Sequence, residues 1–77
     1  MDLRDLFAAN LRRLRNAKGL SQEDLAYEAG MSRSYLSQLE TGVFYVSLKI
    51  IGRLAETLEV EPAEFLKQLP KRGGRVK

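Results

Sequence analysis

A chain of 77 residues is long enough for one domain and lies near the lower limit for a core that is stable without help. It contains no cysteine and no histidine, which excludes a disulfide framework and cysteine-based metal or redox sites. The sequence therefore gives no reason to expect a cofactor or an enzyme. Its apolar runs are too short to span a bilayer and its first residues are acidic, so we expect a cytoplasmic protein with no membrane partner.

Charge is distributed unevenly along the chain. The net charge is +3, and both ends are basic: residues 1–18 and residues 61–77 each carry five basic and two acidic side chains. Residues 19–42 carry one basic side chain, Arg33, against four acidic ones. Contacts of that segment with nucleic-acid phosphates would have to come from helix N-termini, neutral polar groups and the flanking cations.

The first predicted helix covers residues 3–17. Its apolar residues recur every three or four positions and form one stripe, while most of its basic residues lie off that stripe. The predicted core stripe consists of Leu3, Leu6, Phe7, Leu11 and Leu14. Gly19 ends this helix.

Residues 21–41 predict a helix-turn-helix motif. Two short amphipathic helices, over residues 21–29 and 32–40, are separated by Gly30. Glycine suits this position because a sharp turn requires a left-handed backbone conformation. The second helix would return to the core through its leucines and present its polar residues outward.

Serine residues signal where these two helices begin. Ser21 is followed three residues later by Asp24, which is a variant of the capping box. Ser32 is placed so that its hydroxyl can accept a hydrogen bond from a free backbone N–H at the start of the second helix. Both helices are therefore predicted to begin at or directly after a serine.

A fourth helix is predicted over residues 48–58, capped by Ser47. Its core-facing residues are Leu48, Ile51, Leu54, Ala55 and Leu58. Pro62 begins a fifth helix, because its missing N–H costs nothing in a first helical turn. We expect Phe65, Leu66 and Leu69 to close the base of the bundle.

The chain is thus predicted to be all-α, with one domain over residues 1–69. Residues 70–77 (PKRGGRVK) have no apolar periodicity and predict a flexible basic tail.

Taken together, these motifs resemble the phage-repressor-like helix-turn-helix proteins, the Cro/cI or XRE family. The resemblance extends over roughly residues 5–69, and so many spaced matches are more specific than any single motif. The matching segments are residues 15–20 (RNAKGL), 21–26 (SQEDLA), 30–32 (GMS), 36–42 (LSQLETG), 47–48 (SL) and 54–60 (LAETLEV). The resemblance implies a compact five-helix bundle of the lambda-repressor-like type that binds DNA.

The resemblance also implies which residues contact DNA. Arg33 and Ser34, in the first turn of the second motif helix, and Gln38 one turn later align with base-contacting positions. An arginine can donate to guanine O6 and N7 together, and a glutamine can both donate to and accept from adenine. Gln22 and Ser32 align with phosphate-contacting positions.

Three further polar residues near this surface have open roles. Ser37 can reach a base or a phosphate, and we assign it to phosphate. Ser34 and Ser37 are equally compatible with a role as spacers. Tyr45 could contact a phosphate through its hydroxyl.

Arg15 and Glu40 match a pair of positions that the family often uses for a largely buried ion pair. For this pair we predict a structural role. Removal of one partner would destabilise the fold, because the other charge would stay buried and unpaired.

Residues 43–46 (VFYV) depart from the family pattern, in which basic and polar residues commonly follow the glycine and grip phosphates. Here only backbone N–H groups or the Tyr45 hydroxyl could do so. Two interpretations are open. The segment packs into the core, or it forms part of a dimer interface in which Phe44 and Ile50 extend one apolar patch.

Two functions fit these observations. The first is a sequence-specific transcriptional regulator, a repressor or autoregulator, that binds palindromic double-stranded DNA as a homodimer. The second is a protein-interaction module on the same fold, such as an antitoxin or a regulator subunit. The negative charge of the motif favours the second, whereas Arg33, Gln38 and the exposed polar face favour the first.

Overall fold

A computed structural model of the chain describes residues 2–69, which contain helices and no strand. The elements are α1 (Leu3–Ala17), α2 (Gln22–Ala29), α3 (Arg33–Glu40), α4 (Leu48–Leu58) and a 3₁₀ helix (Pro62–Leu66). The predicted all-α class is confirmed, and the predicted helix boundaries agree with these to within one residue. No helix in this part of the chain is long and apolar enough to cross a membrane. The predicted tail, residues 70–77, lies outside the described residues.

Each α-helix begins directly after a side chain that caps it. Ser21, Ser32 and Ser47 each accept a hydrogen bond from the backbone N–H three residues later, at 3.0, 3.0 and 3.1 Å. Asp2 does the same for α1 through Arg4 N–H, at 2.8 Å. These bonds satisfy N–H groups that have no partner within the helix, which is why the boundaries could be predicted from serine positions.

The turn between α2 and α3 is made by Gly30, whose φ is 71°. Its N–H donates to Tyr27 O, and Met31 N–H donates to Ala26 O at 2.9 Å, so the last carbonyls of α2 are satisfied. A left-handed φ costs most residues about 1 kcal/mol, and glycine avoids that cost. The turn sets α3 across α2 at the angle that a helix-turn-helix needs.

One core holds the elements together. It is formed by the inward stripes of all four α-helices and by Phe65, which is fully buried and stacks on Phe7 with 5.4 Å between ring centroids. Helix α1 packs against α3 and the 3₁₀ helix, while α2 packs against α3 and α4. The outer face of α3 is left free of these contacts.

The last helix is a five-residue 3₁₀ helix, where an α-helix was predicted. Asn10, fully buried on α1, donates through Nδ2 to Phe65 O at 3.0 Å and to Lys67 O at 2.8 Å. Asn10 Oδ1 in turn accepts from Arg13 Nε at 3.1 Å. The carbonyls that would extend an α-helix are thus bonded to α1, and the chain leaves the helix there.

Three residues predicted to lie in the core are exposed. Leu3 is 59% exposed, Leu48 is 85% exposed and Leu66 is 46% exposed. Each stands at the end of its element: Leu3 and Leu48 are the first residues of α1 and α4, and Leu66 is the last residue of the 3₁₀ helix. Their positions continue the apolar stripes correctly, but the stripes run past the edge of the core.

Candidate nucleic-acid interface

The outward face of α3 is polar. Leu36 and Leu39 are buried on the opposite face and fix the rotation of the helix about its axis. The outward face forms a shallow depression that is lined by Arg33, Ser34, Ser37 and Gln38. All of these except Ser37 are exposed. The structure therefore brings the three predicted base-contacting residues together on one accessible surface.

The predicted phosphate-contacting residues lie in different settings. Ser32 begins α3, and because its Oγ accepts from Tyr35 N–H, its hydroxyl proton is left to donate outward. Ser37 lies on the α3 surface itself. Gln22 begins α2, but its side-chain Nε2 donates to Glu40 Oε1 at 3.0 Å. One N–H of that amide and its oxygen are left for a further partner.

Arg15 and Glu40 lie against each other in the interior. Arg15 Nε donates to Glu40 Oε2 at 2.6 Å, and Arg15 Nη2 donates to Glu40 Oε1 at 3.0 Å. Arg15 Nη1 also donates to Leu20 O at 2.8 Å. The Glu40 side chain is only 4% exposed and that of Arg15 is 15% exposed. The hydrogen bond to Glu40 raises the pKa of the Arg15 guanidinium, so the pair stays charged.

This pair ties together three elements that meet at the proposed DNA surface. Arg15 belongs to α1, Leu20 and Gln22 stand at the entry to α2, and Glu40 is the last residue of α3. Both oxygens of a nearly buried carboxylate are hydrogen-bonded, which offsets the cost of removing it from water. The arrangement fixes the end of α3 relative to the start of α2.

Arg12 is a member of this group that the sequence analysis did not identify. It donates through Nη1 to the backbone oxygen of Glu40, and so caps the C-terminus of α3 from α1. A signal was present: Arg12 precedes Arg15 by three residues, and residues at that spacing share one face of a helix.

The segment of residues 43–46 lies at the surface except at its end. Val46 is half-buried and packs against the core, whereas Val43, Phe44 and Tyr45 are 55%, 39% and 73% exposed. The ring of Phe44 lies 6.4 Å from that of half-buried Tyr35. Ile50, the other residue predicted at a dimer interface, is half-buried against the core.

Tyr45 is engaged away from α3. The guanidinium of Arg4 lies over its ring, 4.6 Å from the centroid, and Arg4 also donates to Asp2. This stacking places Tyr45 beside the start of α1. A phosphate contact through its hydroxyl stays a prediction.

The electrostatic character of the motif surface is acidic on α2 and mixed on α3. Glu23, Asp24 and Glu28 are all exposed on α2, and Arg33 is the cation of the α3 face. Affinity for DNA through bulk positive charge is therefore not built into this surface. Binding would depend on directed hydrogen bonds from α3 and from helix N-termini.

Known proteins share this sequence and fold. Residues 11–65 match the HTH_3 model, described as helix-turn-helix. The HTH-type transcriptional regulator y4dJ of Sinorhizobium fredii is 39% identical over 66 residues, which cover 86% of this chain and 86% of that protein. The restriction-modification controller protein C.AhdI from Aeromonas hydrophila is 48% identical with a TM-score of 0.77, over 80% of this chain and 94% of that one.

A third similar structure contains DNA. It is the restriction-modification controller protein C.Esp1396I, a tetramer in complex with its natural 35 base-pair operator. Its chain is 29% identical to this one with a TM-score of 0.76, over 84% of this chain and 86% of that one. The family model covers most of the described residues and agrees with the motifs in the sequence, and the chain belongs to the HTH_3 (XRE-type) helix-turn-helix family.

Proposed function

We propose that this protein is a sequence-specific transcriptional regulator that inserts α3 into the major groove of operator DNA. The observation that carries the proposal is the exposed depression formed by Arg33, Ser34, Ser37 and Gln38. It combines an arginine fork, an amide and two hydroxyls on one helix face, and these groups can read the donors and acceptors of base edges.

Within this proposal, base and phosphate contacts have separate sources. Arg33, Ser34 and Gln38 read bases, while Ser32, Ser37 and the start of α2 at Gln22 hold phosphates and set the register of α3. Neutral donors at helix N-termini suit a phosphate because several unpaired N–H groups converge there. Few of these contacts are ionic, so we expect a shallow dependence of affinity on salt.

The working unit is a homodimer that acts as a repressor or autoregulator in the cytoplasm. One α3 contacts only a few base pairs, and two copies related by a dyad read both halves of a palindrome about 34 Å apart. The operator complex of C.Esp1396I, a similar protein that binds as a multimer, supports this arrangement. Phe44 and Ile50 stay the predicted interface residues on the linker side.

The second candidate is a protein-interaction module, and the exposed carboxylates of α2 favour it. Such a surface repels DNA phosphates and suits a basic protein partner. Under that function the α3 depression would have no base preference.

Selection of bound fragments from random DNA, followed by affinity measurements on the recovered site, tests the first function against the second. Arg33→Ala and Gln38→Ala should each weaken binding by roughly 1–3 kcal/mol and relax preference at one base position. Gln68→Ala is the matched control, because Gln68 is an exposed glutamine remote in sequence from α3. Failure to select any preferred sequence, or unchanged preference in both α3 variants, would contradict the proposal.

A further inference from the structure

The three leucines that sequence periodicity placed in the core share one surface feature. Leu3, Leu48 and Leu66 come from three different elements, yet all line a single apolar groove together with Tyr45. The floor of the groove is formed by Phe7 and Ile51, which are buried core residues. The groove is therefore an opening of the core itself at one end of the bundle.

Apolar exposure in the described residues is concentrated at this end. Seven large apolar side chains are exposed between residues 2 and 69. Three are the groove leucines, three belong to the linker that runs past the groove, and Tyr27 alone lies on α2. A clustered apolar surface of this kind marks a contact site in a water-soluble domain, whereas single exposed residues such as Tyr27 are ordinary.

We propose that this groove joins two copies of the chain, with Leu48 of each copy entering the groove of the other. The inference rests on the homodimer of the proposed function and assigns its contact surface. A two-fold contact needs a patch that is complementary to itself. Leu48, 85% exposed at the rim, is the projecting part, and the floor at Phe7 and Ile51 is the receiving part.

The charges at the rim allow such a contact. Arg4 lines the groove, and its Nη2 lies 2.8 Å from Asp2 Oδ2, so the rim carries a neutral ion pair. Two copies therefore approach without repulsion between like charges. A small ligand in the groove would leave Leu48 in water, whereas a second copy covers both the groove and Leu48.

Leu66 is held in place for this contact from inside the fold. Asn10 bonds the carbonyls of Phe65 and Lys67, the residues on either side of Leu66. With both neighbours fixed, Leu66 is presented outward at the groove and does not turn into the core. The groove wall is thus part of the folded monomer before any partner binds.

The test is sedimentation equilibrium of the whole chain and its Leu48→Glu variant over a range of concentrations. Leu48 is the first residue of α4, where an acidic side chain is favourable and no packing is lost, so the variant should fold normally. The expected result is a rise of roughly 30-fold or more in the dimer dissociation constant, as for the loss of a central interface residue. Tyr27→Glu, at a site 86% exposed on α2, is the matched control and should leave the constant unchanged.

A second measurement uses the absence of cysteine from the chain. A mixture of Leu48→Cys and Leu66→Cys proteins should form a disulfide between the two copies under mild oxidation, while Tyr27→Cys mixed with Leu66→Cys should not. A monomeric unmodified protein at high micromolar concentration, or an unchanged dimer constant for Leu48→Glu, would overturn the proposal.

Binding to DNA keeps this proposal separate from the proposed function. Leu48→Glu should retain its base preference on a half-site while losing affinity for the full palindrome. Arg33→Ala should lose base preference while its dimer constant stays unchanged. A failure of the groove would leave base reading intact, and a failure of base reading would leave the dimer constant of Leu48→Glu to be judged alone.

Discussion

The helix-turn-helix and the segment that follows it differ in what determines their structure. In residues 21–41 each boundary coincides with a local signal, namely Ser21, Gly30 or Ser32. From residue 43 onward the outcome depends on contacts with α1, which is distant in sequence: Tyr45 stacks under Arg4, and Asn10 shapes the last helix. Caps and turns act on neighbouring residues, whereas packing at the end of a bundle depends on which elements meet there.

The local signals alone do not make the motif stable. Helices α2 and α3 contain eight residues each, which is too short for an isolated helix to persist in water. The motif stands because its buried face and the ion pair between Arg15 and Glu40 hold it to α1. Perturbing this connection should therefore have a larger effect than removing any local signal.

Arg15→Met should give the largest loss of stability. It keeps most of the apolar stem but leaves the Glu40 carboxylate, 4% exposed, with Gln22 as its remaining side-chain partner. Breaking a buried pair in this way costs roughly 3–5 kcal/mol of unfolding free energy. Urea unfolding followed by helical circular dichroism measures it.

Lys18→Ala is the control for that experiment. Lys18 Nζ lies 2.6 Å from Glu59, as close as the buried pair, but Glu59 is 76% exposed. An exposed pair contributes about 1 kcal/mol or less. Equal losses for the two variants would show that burial of the Arg15 pair does not matter.

Most of the fold could be predicted from the sequence because its signals are local or periodic. The stripe of α1 and the serine caps are of this kind, and they located all four α-helices. Periodicity could not show where the core ends, since it gives the face of a residue and not its depth. Leu3, Leu48 and Leu66 were misplaced for this reason.

The site was predictable to a different degree. The sequence shows which residues of α3 point outward, because the buried leucines fix its phase. It does not show that Gln22 is bonded to Glu40 or that Arg12 bonds a backbone oxygen, since both contacts join elements across the fold. Such partners depend on the distance between helices, which no local pattern encodes.

Asn10→Ala tests the part of the molecule that depends on long-range contacts. The substitution leaves the Phe65 and Lys67 carbonyls without their buried donor and should cost about 2–3 kcal/mol of unfolding free energy. Asn16→Ala on the same helix is the matched control, because Asn16 is exposed and its loss should be nearly neutral. Unfolding curves that coincide for the two variants would contradict the role given to Asn10.

Gly30→Ala tests the local part of the molecule. The φ of Gly30 is 71° and a Cβ there would meet nothing within 4 Å, so the cost is conformational only, about 1 kcal/mol. Gly52→Ala in α4 also meets nothing within 4 Å, and its backbone is helical. It should stabilise the protein by about 0.5–1 kcal/mol. Shifts of the same sign in urea unfolding would show that the Gly30 turn is not what requires glycine.

The smallest effect is expected at Asp2, where a local cap and a local ion pair coincide. The hydrogen bond from Arg4 lowers the pKa of the Asp2 carboxyl from 3.8 to about 2. A lowered pKa means that the charged form stabilises the folded state, so this contribution is present above about pH 4 and is lost as the pH falls to about 2. Because Asp2 is exposed, the contribution is small.

Asp2→Asn isolates that contribution, because asparagine also caps helices but carries no charge. The Tm of the unmodified protein should exceed that of the variant at pH 5, and the difference should shrink between about pH 4 and pH 2. Arg4→Gln should remove the same pH dependence from the other side of the pair. Thermal melts at several pH values measure it, and a Tm difference that stays constant from pH 5 to pH 2 would show that the Asp2 charge contributes nothing to the folded state.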